Sequence, residues 1–107
     1  MSTTPTAQIL PLADLIGYQD GAIVSRVILK AETGNVTLFA FAEGQELSEH
    51  TAPFDALVHV LDGEVEIRIS SQPFHLKTGE AIIMPANQPH AVKAIKQFKM
   101  LLTMIKA

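Results

Sequence analysis

Two histidines occupy matched places in two stretches of apolar, strand-like sequence. His50 follows Gly44 after five intervening residues, and His90 follows Gly79 and Pro85 in the second stretch. An imidazole can ligate a transition metal, transfer a proton as a general acid or base, or orient a bound molecule through one donor and one acceptor. Because each histidine lies at the end of a predicted strand, we expect both side chains to reach one site.

The residues that follow His50 are apolar where further polar ligands would extend such a site. If the segment is extended, positions 50, 52, 54 and 56 share one face. We therefore predict a pocket in which His50 and His90 are the only polar groups. Its predicted apolar lining consists of Ala52, Phe54, Ala56, Val58 and Met84.

The other histidines and the methionines are assigned more ordinary places. His59 has the opposite parity to Ala56, which predicts that it packs outside the pocket, and His75 alternates with apolar neighbours as a surface residue does. Met84, Met100 and Met104 offer soft thioether ligands, although methionine in an apolar strand is more often a core residue.

Composition excludes several classes of protein. The 107 residues contain no cysteine, so disulfides and thiolate metal sites are both absent. With a net charge of −3 and no interleaving of basic and aromatic residues, nucleic-acid binding is not expected. No secretory signal and no apolar run long enough for a bilayer are evident, so we expect a soluble, cytoplasmic protein without membrane contact.

Short strands separated by turn signals dominate the chain and predict an all-β sandwich or barrel. We assign residues 1–20 to an N-terminal arm containing a helical turn and residues 21–107 to one β-barrel domain. Val65, Ile67 and Ile69 alternate with polar residues and are predicted to face inward. The remaining predicted strands cover residues 23–29, 35–42, 55–61, 73–76, 80–84, 90–95 and 98–105.

Three of these strands are apolar on both faces, which exceeds what one small two-layer domain is expected to bury. A second copy of the chain is the simplest cover for the extra faces. We therefore predict a homodimer with residues 35–42 or 98–105 at or near the interface.

The two histidine-bearing stretches resemble the paired motifs of the cupin superfamily, which are small jelly-roll barrels. The first motif, Gly-x5-His-x-His-x3-Glu-x6-Gly, is matched by Gly44, His50 and Gly63, whereas Ala52 and Ala56 replace its second histidine and its glutamate. The second motif, Gly-x5-Pro-x-Gly-x2-His-x3-Asn, is matched by Gly79, Pro85 and His90, with Asn87 and Ala94 at its glycine and asparagine positions.

The resemblance implies a cupin barrel, and in metal-binding cupins three histidines and a glutamate hold the ion. Here it implies only His50 and His90 as metal ligands, for which copper, nickel or zinc is a better partner than manganese or iron.

Three hypotheses about the function remain open. The first is a small-molecule binding module centred on the two histidines. The second is an enzyme, either metal-dependent (dioxygenase, isomerase or decarboxylase type) or using both histidines as general acid and base. In the third, a structural dimer, both histidines merely satisfy buried hydrogen bonds.

Overall fold

Nine β-strands and one 3₁₀ turn form the part of the chain that the computed structural model describes, residues 4–107. The turn, Leu12–Asp14, falls within the arm, where a helical turn is predicted. Among these residues no helix is long and apolar enough to cross a membrane. The strands are β1 (Ile23–Ala31), β2 (Gly34–Phe41), β3 (Glu46–His50), β4 (Phe54–Asp62), β5 (Glu64–Ile69), β6 (Gln72–Lys77), β7 (Ala81–Met84), β8 (His90–Ala94) and β9 (Phe98–Lys106).

The strands form two sheets that pack face to face. One sheet has the order β1-β2-β9-β4-β7 and the other the order β3-β8-β5-β6, and neighbouring strands are antiparallel throughout. Consecutive strands often lie in different sheets, as in a jelly roll. The predicted all-β jelly-roll barrel is confirmed.

Alternation of side chains explains how the strands build the core. In β5, Val65 and Ile67 are fully buried while Glu66 and Arg68 lie on the outer face and form a 3.0 Å ion pair. In the hairpin from β1 to β2, Ala31 pairs with Gly34 across a two-residue turn, at the predicted turn position. The core between the sheets contains Phe41, Val58, Val60, Val65, Ile67, Phe98 and Met100, all at most 1% exposed.

Gly63 closes the tight connection between β4 and β5. Its φ is 85°, and a Cβ at this position would lie 1.9 Å from the carbonyl oxygen of Gln97. Neither the backbone conformation nor the space admits a side chain, so this motif residue specifies the fold rather than the chemistry.

A second apolar cluster lies on the outer face of β1 and β2, where the arm crosses the large sheet. Ile16 of the arm packs with Ile28, Leu38 and Ala40, which are all buried. Apolar residues on both faces of β2 therefore find a cover within the same chain. The premise that a partner subunit must cover them is wrong for Leu38 and Ala40, while the homodimer itself stays a prediction.

Polar contacts fasten the arm in this position. The Tyr18 hydroxyl donates to Asp62 Oδ2 at 2.5 Å, and Lys99 Nζ donates to the Ala13 carbonyl while lying 5.0 Å from the centre of the Tyr18 ring. Burial, together with the bond to Asp62 and the charge of Asp62, raises the pKa of Tyr18 well above its ordinary value. Tyr18 is therefore a neutral donor under ordinary conditions.

Candidate functional site

The two motif histidines come from neighbouring strands of the small sheet. β3 ends at His50 and β8 begins at His90, and the two residues pair directly in the antiparallel register. The sequence analysis expected a strand to end at His50 but gave no bounds for β3, because most of its side chains are exposed and its pattern is not alternating. Pairing with β8 nevertheless fixes the position of His50 beside His90.

The imidazoles meet edge to face at one end of the barrel. Their ring centroids are 4.3 Å apart with an interplanar angle of 69°, and the two Nε2 atoms are 3.1 Å apart. His90 is only 7% exposed, whereas His50 is exposed. His90 thus belongs to the cavity wall and His50 to its mouth.

Backbone carbonyls fix the orientation of both rings in the same way. His50 Nδ1 lies 2.9 Å from the Ser48 carbonyl oxygen, and His90 Nδ1 lies 3.2 Å from that of Gln88. A carbonyl oxygen can only accept, so each Nδ1 is assigned the ring hydrogen of the neutral imidazole. Both Nε2 atoms then carry lone pairs that converge on the 3.1 Å gap.

Two facing lone pairs are unfavourable unless a hydrogen or a cation lies between them. Burial, and after it the positive charge of His50, lowers the pKa of His90 below its ordinary value of 6.5. Protonation of His90 is therefore disfavoured, so its Nε2 atom acts as an acceptor in the pair. The pair can hold one positive charge, and a second proton is disfavoured.

The cavity next to this pair is small and otherwise apolar. Its volume is about 60 Å³, and it lies between the inner faces of the two sheets. The structure brings four of the five predicted apolar wall residues to it together with both histidines. Its lining consists of Leu47, His50, Ala52, Phe54, Ala56, Met84, His90, Val92, Met100, Leu102 and Met104.

Val58 is not among the residues that line the cavity, although the sequence predicts it there. It has the inward parity of Ala56 but lies one pleat deeper along β4, where the two sheets are in contact, and it is fully buried in the core. His59 lies on the outward parity of β4, opposite Ala81, and His75 is exposed with its Nε2 atom 3.0 Å from Glu64 Oε1. Neither lines the cavity.

Sequence reasoning missed two groups of lining residues. Val92 follows His90 by two residues in β8 and shares its face, so strand parity was a sufficient signal for it. Leu47, from the unrecognised β3, and Leu102 were not singled out either. Met100 and Met104, considered above as soft ligands, do lie on the cavity wall.

The loop between β7 and β8 is bonded to the start of β4 and to the residues just before it. The Ala86 amide donates to Asp55 Oδ1 at 2.9 Å, and the Asn87 amide donates to the Ala52 carbonyl at 2.8 Å. Asn87, at the glycine position of the second motif, has a φ of 64°, which asparagine tolerates better than most residues do. These bonds hold the loop that leads into His90.

The sequence profile of the cupin domain matches residues 37–106, which contain both histidine stretches. The chain is a cupin. No curated protein matches the sequence.

Solved structures of similar proteins share this architecture. This cupin superposes on a conserved Streptococcus pyogenes protein of unknown function with a TM-score of 0.91 at 33% identity, covering 96% of this chain and 90% of that one. A cupin superfamily protein from Desulfitobacterium hafniense gives 0.90 at 30% identity, covering 97% and 95%. A Cupin 2 conserved barrel protein from Leptotrichia buccalis gives 0.88 at 43% identity, covering 91% of this chain but 47% of that one.

The four-ligand metal site of metal-binding cupins does not fit this cupin. Ala52 and Ala56 line the cavity at the positions of the second histidine and the glutamate. Among residues 4–107, no group of three or more histidine, cysteine, aspartate or glutamate side chains could hold an ion. The cavity offers two imidazoles, methyl groups and thioethers, which is a poor donor set for manganese or iron.

Proposed function

We propose that this cupin binds a small molecule through its acidic end, a carboxylic acid or an enol, which bonds to the facing Nε2 atoms of His50 and His90. The observation that carries the proposal is the convergence of two Nε2 lone pairs, 3.1 Å apart, beside an otherwise apolar cavity. A ligand that brings its own acidic hydrogen supplies what the neutral pair lacks. The apolar wall then takes the adjoining carbon atoms of the ligand.

The size of the cavity limits what can enter. Metabolite pockets in proteins usually measure ~300–1,000 Å³, whereas this cavity measures about 60 Å³. Only a few ligand atoms fit beneath His50, unless the unbranched side chains of Met84, Met100 and Met104 rearrange. Because His50 is exposed, the rest of a larger ligand would extend from the mouth towards solvent.

The geometry favours binding over acid–base catalysis. A general acid and a general base that act on one substrate need opposite protonation states and access to different atoms. Here both rings present the same nitrogen to the same point. We therefore place the role of His50 and His90 as general acid and base second. A cytoplasmic location and the homodimer stay predictions.

Methionine methyl groups provide a direct test, because three of the four methionines line the cavity. In protein labelled with ¹³C at the methionine methyls, propionic acid at mildly acidic pH should shift the signals of Met84 and Met104. Methyl propionate, which has a similar apolar body but no donor, should have a much weaker effect. His50→Ala should abolish the shifts without unfolding the protein, because His50 is exposed.

His75→Ala is the matched control, since it removes an imidazole that lies outside the cavity. It should leave the response to propionic acid unchanged. The proposal is wrong if the acid and its ester act equally, or if the acid still shifts the methyl signals in His50→Ala.

A further inference from the structure

A row of sulfur-bearing side chains lies where a metal-binding cupin would present its carboxylate. Ala56 of β4 pairs with Met84 of β7 on one side and with Met104 of β9 on the other. All three line the cavity, together with His50 and His90. The motif glutamate has thus been replaced by a methyl group flanked by two thioethers.

This set of donors selects for soft metal ions. Thioether sulfur and neutral imidazole suit Cu(I), whereas carboxylates and water suit harder ions. Carboxylate and thiolate side chains are both absent from the residues that line the cavity. Two of the four side chains are shielded from water, since Met84 is 4% and His90 is 7% exposed.

The histidine pair already has the geometry of two ligands on one ion. With metal–nitrogen bonds of about 2.0–2.1 Å, nitrogens 3.1 Å apart subtend an angle of about 95–100° at the ion. That angle lies between the right angle and the tetrahedral angle. Each ring also donates its Nδ1 hydrogen to a backbone carbonyl, the support that commonly orients a metal-bound histidine.

We infer that the cavity is a binding site for a soft monovalent metal ion, Cu(I), held by His50 Nε2, His90 Nε2 and the thioethers of Met84 and Met104. This inference goes beyond the proposed function: it shares the two histidines, but its occupant needs the sulfur atoms. The about 60 Å³ cavity accommodates an ion without displacing the wall. Met100 pairs with Val60, four residues along β4 from Ala56, and is therefore not assigned as a ligand.

Silver(I) and Cu(I) are the probes. Without dioxygen, competition between the protein and the Cu(I) chelator bicinchoninate should show one Cu(I) per chain, and Ag(I) should shift the ¹³C-methyl signals of Met84 and Met104. Met84→Leu and Met104→Leu, which nearly conserve volume, should each weaken Cu(I) binding by more than ~10-fold, the usual minimum for losing a residue that supports a ligand. Met100→Leu, on the same wall, is the control and should change the affinity little.

The outcomes separate this inference from the proposed function. Binding of Cu(I) that survives His50→Ala, or that responds equally to Met84→Leu, Met104→Leu and Met100→Leu, would overturn the site, and so would an absence of binding. The two methionine variants should still bind propionic acid, because leucine keeps the wall apolar and the polar contacts of the acid are with the histidines alone. If they bind neither probe, circular dichroism and the melting temperature will show whether the fold has been lost. A folded methionine variant that binds neither Cu(I) nor propionic acid would contradict the prediction that the methionines bind only the metal ion.

Discussion

Asp55 lies outside the cavity but holds the loop that leads into His90. Its Oδ1 accepts the Ala86 amide at 2.9 Å, four residues before His90. This residue is therefore a positioning residue for the histidine pair rather than a contact of the ligand. We assign this role because the carboxylate of Asp55 is the charged acceptor of the Ala86 backbone amide.

Asp55→Ala should weaken both the fold and the site. The free energy of unfolding should fall by about 1 kcal/mol, the net value of one partly exposed hydrogen bond, as measured by urea denaturation. Ligand or metal affinity should fall as well, because the loop that orients His90 loses a tether. Asp55→Asn keeps an acceptor oxygen and is the control. Equal losses of affinity in both variants would contradict the positioning role.

Ala52 and Ala56 stand at the positions of the second histidine and the glutamate of the cupin motif, so introducing those two residues should change metal preference. Ala52→His combined with Ala56→Glu should create a site for a divalent ion such as Zn²⁺ or Mn²⁺, detected by elemental analysis of protein purified without a metal-affinity tag. Ala56→Glu alone should lower the free energy of unfolding by ~3 kcal/mol, because it buries an unpaired carboxylate at a position that is 4% exposed. A double variant that is folded but free of metal would contradict the prediction, because it would show that these two ligands are not sufficient for a metal site.

At the scale of elements, the hairpin between β5 and β6 connects directly to the His90 loop. Its turn residues Ser70 and Ser71 have φ values of 49° and 70°, in the left-handed region that suits glycine and asparagine. The Ser70 amide donates to the Pro89 carbonyl at 2.8 Å, and its hydroxyl donates to Gln88 Oε1 at 3.2 Å. The turn thus supports the residues whose backbone orients His90, despite an unfavourable conformation.

Ser71→Gly should relieve this conformation and raise the free energy of unfolding by ~1 kcal/mol, the usual cost of a left-handed residue with a side chain. Denaturation in urea measures the change. Thr33→Gly, in the turn between β1 and β2, is the control and should not stabilise, because Thr33 does not have a positive φ. Destabilisation by Ser71→Gly would contradict the prediction.

At the scale of the whole molecule, the outer face of the large sheet carries an exposed apolar row. Leu29, Leu57 and Ile83 lie in register across five strands and are 60%, 42% and 62% exposed, and Ile105, in the next row, is 60% exposed. Unlike Leu38 and Ala40, these side chains are not covered by the arm. Such a face is typical of an interface between subunits.

We expect the homodimer to form through this row, which crosses β2 and β9 as the sequence predicts. Sedimentation at micromolar concentration should give a dimer for the unmodified chain and a monomer for Ile83→Lys, because the charge would be buried at the interface. Ile95→Lys, at another exposed apolar position, is the control and should remain dimeric. A monomeric unmodified chain would contradict the prediction.

Much of the fold could be predicted from the sequence, because alternation and turn residues are local signals. They located eight strands, the β1–β2 hairpin and the inward side chains of β5. β3 escaped because Glu46, Ser48 and Glu49 show no apolar period. The arm over Leu38 and Ala40 escaped because a tertiary contact leaves no local pattern.

Part of the candidate site could also be predicted, because motif spacing and strand parity are local signals in the sequence. Motif spacing paired His50 with His90, and parity gave most of the cavity wall. The convergence of the two Nε2 lone pairs could not be predicted, because it depends on the carbonyls of Ser48 and Gln88. Backbone orientation of that kind exists only in the folded chain.

The position of β9 inside the large sheet also constrains how this protein is made. β9 is the last strand in chain order, yet it lies between β2 and β4 and pairs with both. During synthesis on a ribosome, one edge of β2 and one edge of β4 therefore stay unpaired until β9 has emerged. The large sheet then forms by pairing strands that are distant in sequence. Such non-local pairing folds slowly and exposes strands that aggregate, so chaperone supply during synthesis should govern the yield of this barrel.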